Sequence, residues 1–130
     1  RIIELQEQAE VLLYSIGAVD AGVPSHVYSS GYLEPEDVHM LQQEGVVGDL
    51  ATVFFREDGS YQDISMNQRA SGPPLELYKE ARRAICVVSG RAKVTGLHAA
   101  LKAGYMGELI VDEPTARHLC HHMGYNHYDL

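Results

Sequence analysis

The sequence is short of cysteine, of basic residues and of long hydrophobic runs, and each shortage removes a class of protein. Only two cysteines occur in 130 residues. Cys86 falls in an apolar strand run and Cys120 on an apolar helix face, settings in which a free thiol behaves as a small hydrophobe, so no disulfide is expected. Ten basic residues against eighteen acidic ones give a formal charge of −8, the wrong sign for a surface that neutralises a phosphate backbone. These residues should not hold DNA by themselves. No apolar run approaches the ~20 residues of a membrane helix and no signal peptide is visible, so a cytoplasmic protein without a membrane partner is expected.

Catalytic signatures are also missing. There is no G-x-S-x-G elbow, neither cysteine lies in an evidently electropositive loop, and nothing completes an H-E-x-x-H pattern. His118, Cys120, His121 and His122 sit close together in sequence, but Cys120 shares the apolar stripe of Leu119 and Met123 while the histidines fall on other faces. Neither a metal nor a cofactor is expected. There is no internal repeat and no low-complexity segment.

What remains is an ordinary globular composition, 45% hydrophobic and 22% charged, enough for one domain or part of one. The chain opens on Arg1, with Ile2 and Leu5 already at helical spacing, so it is expected to begin inside a larger protein. Ile2, Leu5 and Ala9 predict a helix over residues 1–9, followed by a strand from Val11 to Ile16. Residues 17–32, rich in glycine and serine with Pro24, predict a long binding loop flanked by Tyr28 and Tyr32, whose rings could stack on a sugar or merely anchor the loop. Pro35, with Glu34, Glu36 and Asp37 around it, starts a helix that runs to about residue 44. Leu50 to Phe55 reads as one strand buried on both faces, and Asp58-Gly59 as a hairpin turn leading to a weaker strand through Tyr61 and Ile64.

A short helix around Leu75 to Tyr78 precedes the most regular stretch. Ile85 to Val88 predicts a strand, Ser89-Gly90 a tight loop, Val94 to Leu101 a helix closed by Gly104, and Leu109 to Val111 another strand. Asp112 and Pro114 then open a last helix, with Ala116, Leu119, Cys120 and Met123 on its buried side. Strand, helix and strand joined by short links predict a parallel pair with a right-handed crossover, hence an α/β fold with a largely parallel, Rossmann-like sheet. Ligands of such sheets bind beyond the carboxyl ends of the strands. That selects the loops after Ile16, Val88 and Val111.

Ser89-Gly90-Arg91-Ala92-Lys93 fits that place: backbone N–H groups at a helix start can meet an anion or an oxygen-rich ligand, Gly90 permits close approach, and Lys93 adds charge. Lys93 alone could equally be a solvated surface residue. Asp49, after Gly48 at the mouth of an apolar strand, can accept two sugar hydroxyls, or can simply cap a turn. Arg69 has the fork geometry that suits phosphate, or is an exposed arginine on an irregular connection. The basic clusters Lys79, Arg82, Arg83 and Arg91, Lys93 could each hold one small anion in spite of the overall charge.

Three stretches, SSGYLEPEDVHML (29–41), GVVGDLATVFFREDGS (45–60) and AICVVSGRAKVTGLHAALKAGYMGELIVDEPTA (84–116), resemble the effector-binding domain of SorC/DeoR-type bacterial transcription regulators. The DEPTA run is the most specific part. The resemblance implies the fold of the ribose-5-phosphate isomerase, glucosamine-6-phosphate deaminase and CoA-transferase group, and makes residues 1–130 the C-terminal part of a sugar-binding effector domain. It implies a sensor, not an enzyme, with a phosphorylated sugar as effector and Asp49 and Lys93 converging on its hydroxyls and carbonyl region. Gly48, Ser89, Gly90 and Arg69 complete the expected ligand-binding set. It also implies a homo-oligomer, dimer or tetramer, that meets operator DNA only through an N-terminal helix-turn-helix domain. That helix-turn-helix and the family's early glycine- and threonine-rich phosphate loop do not occur in these residues, and Ser89-Gly90 stands where many members have two glycines.

Two other readings stay open at this point. On the same fold, Asp49 could serve a sugar-phosphate isomerase or deaminase as general base with Lys93 polarising the carbonyl. A ligand-free oligomerisation module would need neither residue.

Overall fold

The structure is a computed structural model that describes residues 1–19, 31 and 33–125. In chain order the described elements are α1 (Ile2–Glu7), β1 (Val11–Tyr14), β2 (Gly17–Ala18), α2 (Pro35–Gln43), β3 (Val46–Leu50), β4 (Val53–Arg56), a 3-10 turn (Ser65–Arg69), α3 (Glu76–Glu80), β5 (Arg83–Val88), a second 3-10 turn (Arg91–Lys93), α4 (Val94–Ala103), β6 (Glu108–Val111) and α5 (Glu113–His122). The predicted binding loop, with Tyr28 and Tyr32, lies mostly outside the described residues.

Two three-stranded sheets carry the fold. One is parallel, in the order β1-β5-β6, and the other antiparallel, in the order β2-β3-β4. The α/β class and the parallel β5-α4-β6 unit agree with the sequence reading. The second sheet is an addition to it. The strand expected from Val11 to Ile16 is shorter: β1 stops at Tyr14, and after Ser15 and Ile16 the chain crosses to the antiparallel sheet, where Gly17 pairs with Asp49 and Ala18 with Gly48.

The single strand expected from Leu50 to Phe55 is a correction of the same kind. Leu50 ends β3 and pairs with Val53, the first residue of β4. Ala51 and Thr52 form the two-residue turn between them, with φ of 47° and 73°, the left-handed values that the local twist of a tight hairpin favours. Neither residue is a usual choice there, so nothing local announced the turn. Burial on both faces was read correctly: Leu50, Val53, Phe54 and Phe55 are all buried, and each contributes roughly 1.5–3 kcal/mol relative to exposure.

The turn at Asp58-Gly59 forms, with Gly59 N–H donating to Arg56 O at 2.8 Å and Ser60 N–H to Asp58 Oδ1 at 2.9 Å. The expected strand through Tyr61 and Ile64 does not follow it. Asn67 takes its place: its Oδ1 accepts the Phe54 N–H at 2.7 Å, and its Nδ2 donates to Phe54 O at 2.9 Å and Tyr61 O at 3.3 Å. One amide side chain thus meets the outer edge of β4 where a strand was foreseen.

The helices follow their local signals more closely. Pro35 occupies the first turn of α2, and Asp37 Oδ2 accepts the Glu34 N–H at 2.9 Å as half of a capping box. Gly104, at φ 80°, ends α4 in the left-handed conformation. On α5 the buried residues are Thr115 and Leu119, whereas Met123, expected on the buried side, lies past the helix end and is exposed. The larger core joins Cys86, Val88, Leu97, Ala100 and Leu119 to Phe55, Leu75 and Tyr105; a smaller one joins Leu41, Phe54, Ile64 and Met66.

Candidate functional site

Asp49 is a buried carboxylate near the end of β3, 4% exposed. Its cross-strand neighbour is Gly17, where a Cβ would stand 1.9 Å from Asp49 Oδ1. The carboxylate therefore lies over the glycine's α-carbon, in space that any side chain would fill. Asp49 Oδ2 accepts the Thr52 N–H at 3.1 Å, tying the carboxylate to the left-handed turn that ends the strand. Gly48 is equally constrained, since a Cβ there would meet Gly17 O at 2.5 Å.

Below this group lies an aromatic layer. The Tyr14 and Tyr78 rings meet edge to face at 4.6 Å, and the Tyr14 hydroxyl donates to Tyr105 O. Burial first, then the negative charge of Asp49 and Cys86, pushes the Tyr78 hydroxyl up to about 12. Burial likewise pushes the Cys86 thiol up to about 11, which leaves it inert as a nucleophile at neutral pH.

The loop after β5 is fixed from the start of α5. Gly90, at φ 123°, donates its N–H to Thr115 Oγ1 at 2.9 Å, and Thr115 is buried. Hydrogen bonds to Thr115 first, and to Ser89, hold the Asp112 carboxyl below the usual carboxylate range. The network Ser89, Gly90, Asp112 and Thr115 thus joins the carboxyl ends of β5 and β6. Lys93, half-buried, closes the short turn by donating its N–H to Gly90 O at 3.1 Å and leads directly into α4.

Asp49 and Lys93 stand on adjoining elements, because β2 lies against the Arg91–Lys93 turn and α4 against β3. Gly96 makes the second contact close: a Cβ there would be 3.3 Å from Ile16 Cγ2 and 3.6 Å from Val47 O. Gly48, Asp49, Ser89, Gly90 and Lys93 therefore frame one region between the two sheets. Arg69 ends the first 3-10 turn. Its guanidinium is 4.0 Å from Asp37 and 3.8 Å from Met66 Sδ, against α2 and the smaller core.

The first basic cluster is absorbed at the opposite end of the parallel sheet. Arg83 makes a two-pronged ion pair with Glu108 at 2.8 and 2.9 Å, Arg82 faces Glu10 at 3.7 Å, and Lys79 stands 5.3 Å over the Tyr105 ring. Among the described residues no three His, Cys, Asp or Glu side chains are grouped to hold a metal. His122 instead meets His98, Nδ1 to Nδ1 at 2.9 Å. Sequence reasoning missed Gly17, Thr52, Tyr78 and Thr115. Gly17 carried a signal as a glycine directly after a strand, and Thr115 as a member of the DEPTA run.

Residues 1–121 match the model of the family described as "Putative sugar-binding domain". The chain belongs to this family. Among curated proteins, this sugar-binding domain is 34% identical over 120 residues to the deoxyribonucleoside regulator of Bacillus subtilis, covering 92% of this chain and 37% of the relative. It is 29% identical over 118 residues to the erythritol catabolism regulatory protein EryD of Brucella abortus, covering 91% and 36%. The chain thus spans little more than a third of the curated relatives it matches. Among solved structures, a domain of a "possible sugar-binding transcriptional regulator" from Arthrobacter aurescens TC1 superposes with a TM-score of 0.81 at 46% identity, over 89% of this chain and 43% of that one. A DeoR family transcriptional regulator from Listeria monocytogenes gives 0.83 at 25% identity, over 90% and 47%. The full-length sorbitol operon regulator SorC of Klebsiella pneumoniae, at 23% identity, a TM-score of 0.74 and coverage of 88% and 36%, has the same fold. Among the described residues no helix is long and apolar enough to cross a membrane.

Proposed function

We propose that this sugar-binding domain is the effector-sensing part of a SorC/DeoR-type transcription regulator. It binds a phosphorylated sugar between the β2-β3 hairpin and the Ser89–Lys93 loop, with Asp49 accepting hydroxyls and Lys93 donating to an oxygen of the ligand. Gly90 supplies close backbone approach, and Gly48 lets β2 pack against β3 beside Asp49. Ligand binding shifts the balance between oligomeric arrangements of a cytoplasmic homo-oligomer, and so changes how DNA-binding domains elsewhere in the parent protein engage operator DNA. The domain itself performs no catalysis.

The observation that carries this reading is the buried Asp49 carboxylate, held over Gly17 by the Thr52 N–H on an element that adjoins the Lys93 turn. An enzyme needs a nucleophile or acid and base, and the relatives are regulators; no observation favours an isomerase or deaminase. The test is a thermal-shift screen of the parent protein with phosphorylated and free sugars, repeated in Asp49→Asn and Lys93→Met. A ligand that binds only the folded state raises the melting temperature by mass action, about 2.7 kcal/mol of stabilisation at a hundred times its Kd. A shift with a sugar phosphate, absent in both variants and unaccompanied by product, is the expected result. Turnover of the sugar overturns the reading, and so does a shift that both variants retain.

A further inference from the structure

The parallel sheet is covered on one side only. Successive side chains along its strands alternate between faces. Leu12, Tyr14, Ala84, Cys86, Val88, Leu109 and Val111 turn towards the larger core. The opposite face carries Val11, Leu13, Ile85, Val87 and Ile110. Leu13 is 72% exposed, Ile110 58% and Val87 43%. The register sets Leu13 beside Ile85 and Val87 beside Ile110, so these residues are contiguous across all three strands. Charge enters this face only with Arg83 and Glu108, paired with each other towards the amino ends of β5 and β6.

A parallel sheet with one bare aliphatic face is an incomplete unit, because parallel strands are ordinarily packed on both faces. The helix before it says the same: α1 has no buried residue, and Ile2, Ile3 and Leu5 stand open just upstream of β1. The Arthrobacter structure is described as a domain, and this chain covers 43% of it. More than half of such a domain therefore lies outside the matched part. We propose that the face formed by Val11, Leu13, Ile85, Val87 and Ile110 is the seam on which the other half of the sensor domain packs, through apolar faces of helices from the same parent polypeptide. A face, unlike an edge, offers no backbone groups for strand addition, which favours helices as the occupant. The inference concerns assembly of the domain and does not depend on which ligand it binds.

The seam can be tested in the purified parent protein. In a Cys120→Ser background, Leu13→Cys and, separately, Ile110→Cys are labelled with a maleimide, and a photo-crosslinking amino acid is placed at the rim position Val11. Both cysteines should label slower than in urea by on the order of a hundredfold or more. The protection should be independent of protein concentration, and the crosslink should join Val11 to a segment of the same chain outside these 130 residues. Labelling as fast as in the unfolded protein shows a face open to solvent and overturns the proposal. Protection that fades on dilution, with a crosslinked dimer, overturns it in favour of a second copy. Should one cysteine variant fail to fold, the other and Val87→Cys give the same reading, and neither lies in the proposed ligand region, so loss of the seam and loss of ligand binding remain separate results.

Discussion

Gly17 and Asp49 face each other across the β2-β3 pair so closely that a Cβ on residue 17 would fall 1.9 Å from the Asp49 carboxylate. The glycine makes room for a buried charge, and its own main chain leaves no alternative direction of escape for Gly48, whose Cβ would meet Gly17 O. Gly17→Ala is expected to push the carboxylate aside and to cost about 1–3 kcal/mol as an overpacked site. Thermal melting reads the cost, and loss of any effector-induced shift reads the displaced carboxylate. A variant that melts like the parent and keeps its ligand response removes Gly17 from the site.

Asp49 also has a structural duty, since its Oδ2 holds the N–H of Thr52 in a turn with two left-handed residues. Asn keeps an acceptor there and Ala does not. Asp49→Ala should lose about 1–3 kcal/mol through the unsatisfied N–H, with Asp49→Asn losing clearly less. If chemical denaturation finds the two equally stable, the Thr52 bond contributes nothing.

Thr115 anchors the loop after β5 through Gly90, and both residues are out of reach of ordinary substitution, one buried and one at φ 123°. Thr115→Val preserves shape and removes the acceptor. A loss of about 1 kcal/mol is expected, with faster amide exchange at Gly90 and a weakened effector response, because the loop that carries Ser89 and Lys93 is no longer fixed. Unchanged exchange at Gly90 would sink this assignment.

These three cases mark the limit of what was legible in the sequence. Proline, capping carboxylates and closing glycines located α2, α4 and α5 because helix ends are decided within a few residues. The apolar run of β5 and the stripe of α4 gave the parallel unit for the same reason. What failed was non-local: the Ala51-Thr52 turn depends on a carboxylate supplied by Asp49 and on pairing between β3 and β4, and the edge of β4 is closed by Asn67, thirteen positions away. Asp49 and Lys93 could be nominated from the family likeness, but Gly17, Thr115 and the placement of Arg69 against Asp37 follow only from packing.

Asn67 makes a prediction of its own. Its amide takes both backbone groups of Phe54 on the outer edge of the antiparallel sheet. Asn67→Ala frees them, at a cost of about 1–3 kcal/mol, and bares an edge that other strands can pair with. Lower stability together with concentration-dependent aggregation is expected, and light scattering alongside denaturant melts distinguishes the two effects. Asn67→Asp keeps the acceptor for the Phe54 N–H but turns a carboxylate oxygen towards the Phe54 and Tyr61 carbonyls, so it should be no more stable than Asn67→Ala.

The His98–His122 contact sets a pH dependence. Their Nδ1 atoms are 2.9 Å apart, so one ring must donate and the other accept. Burial first, then the positive charges of Lys102 and His122, lowers the His98 pKa below its usual value, with Glu57 opposing them. A histidine depressed in the folded state binds its proton more readily when unfolded. Its contribution to stability is therefore complete above the unfolded value of about 6.5 and is lost as pH falls through the lower folded value. Below that point His98 is charged beside Lys102 and can no longer accept a hydrogen bond from His122, so the contact between α4 and α5 is weakened. The melting temperature should accordingly fall from pH 7.5 to pH 5 more steeply in the native protein than in His98→Gln, and His122→Gln should remove part of the same slope, since it takes away one of the groups that depress His98. Parallel pH profiles in all three proteins would show that the histidine contact carries no stability.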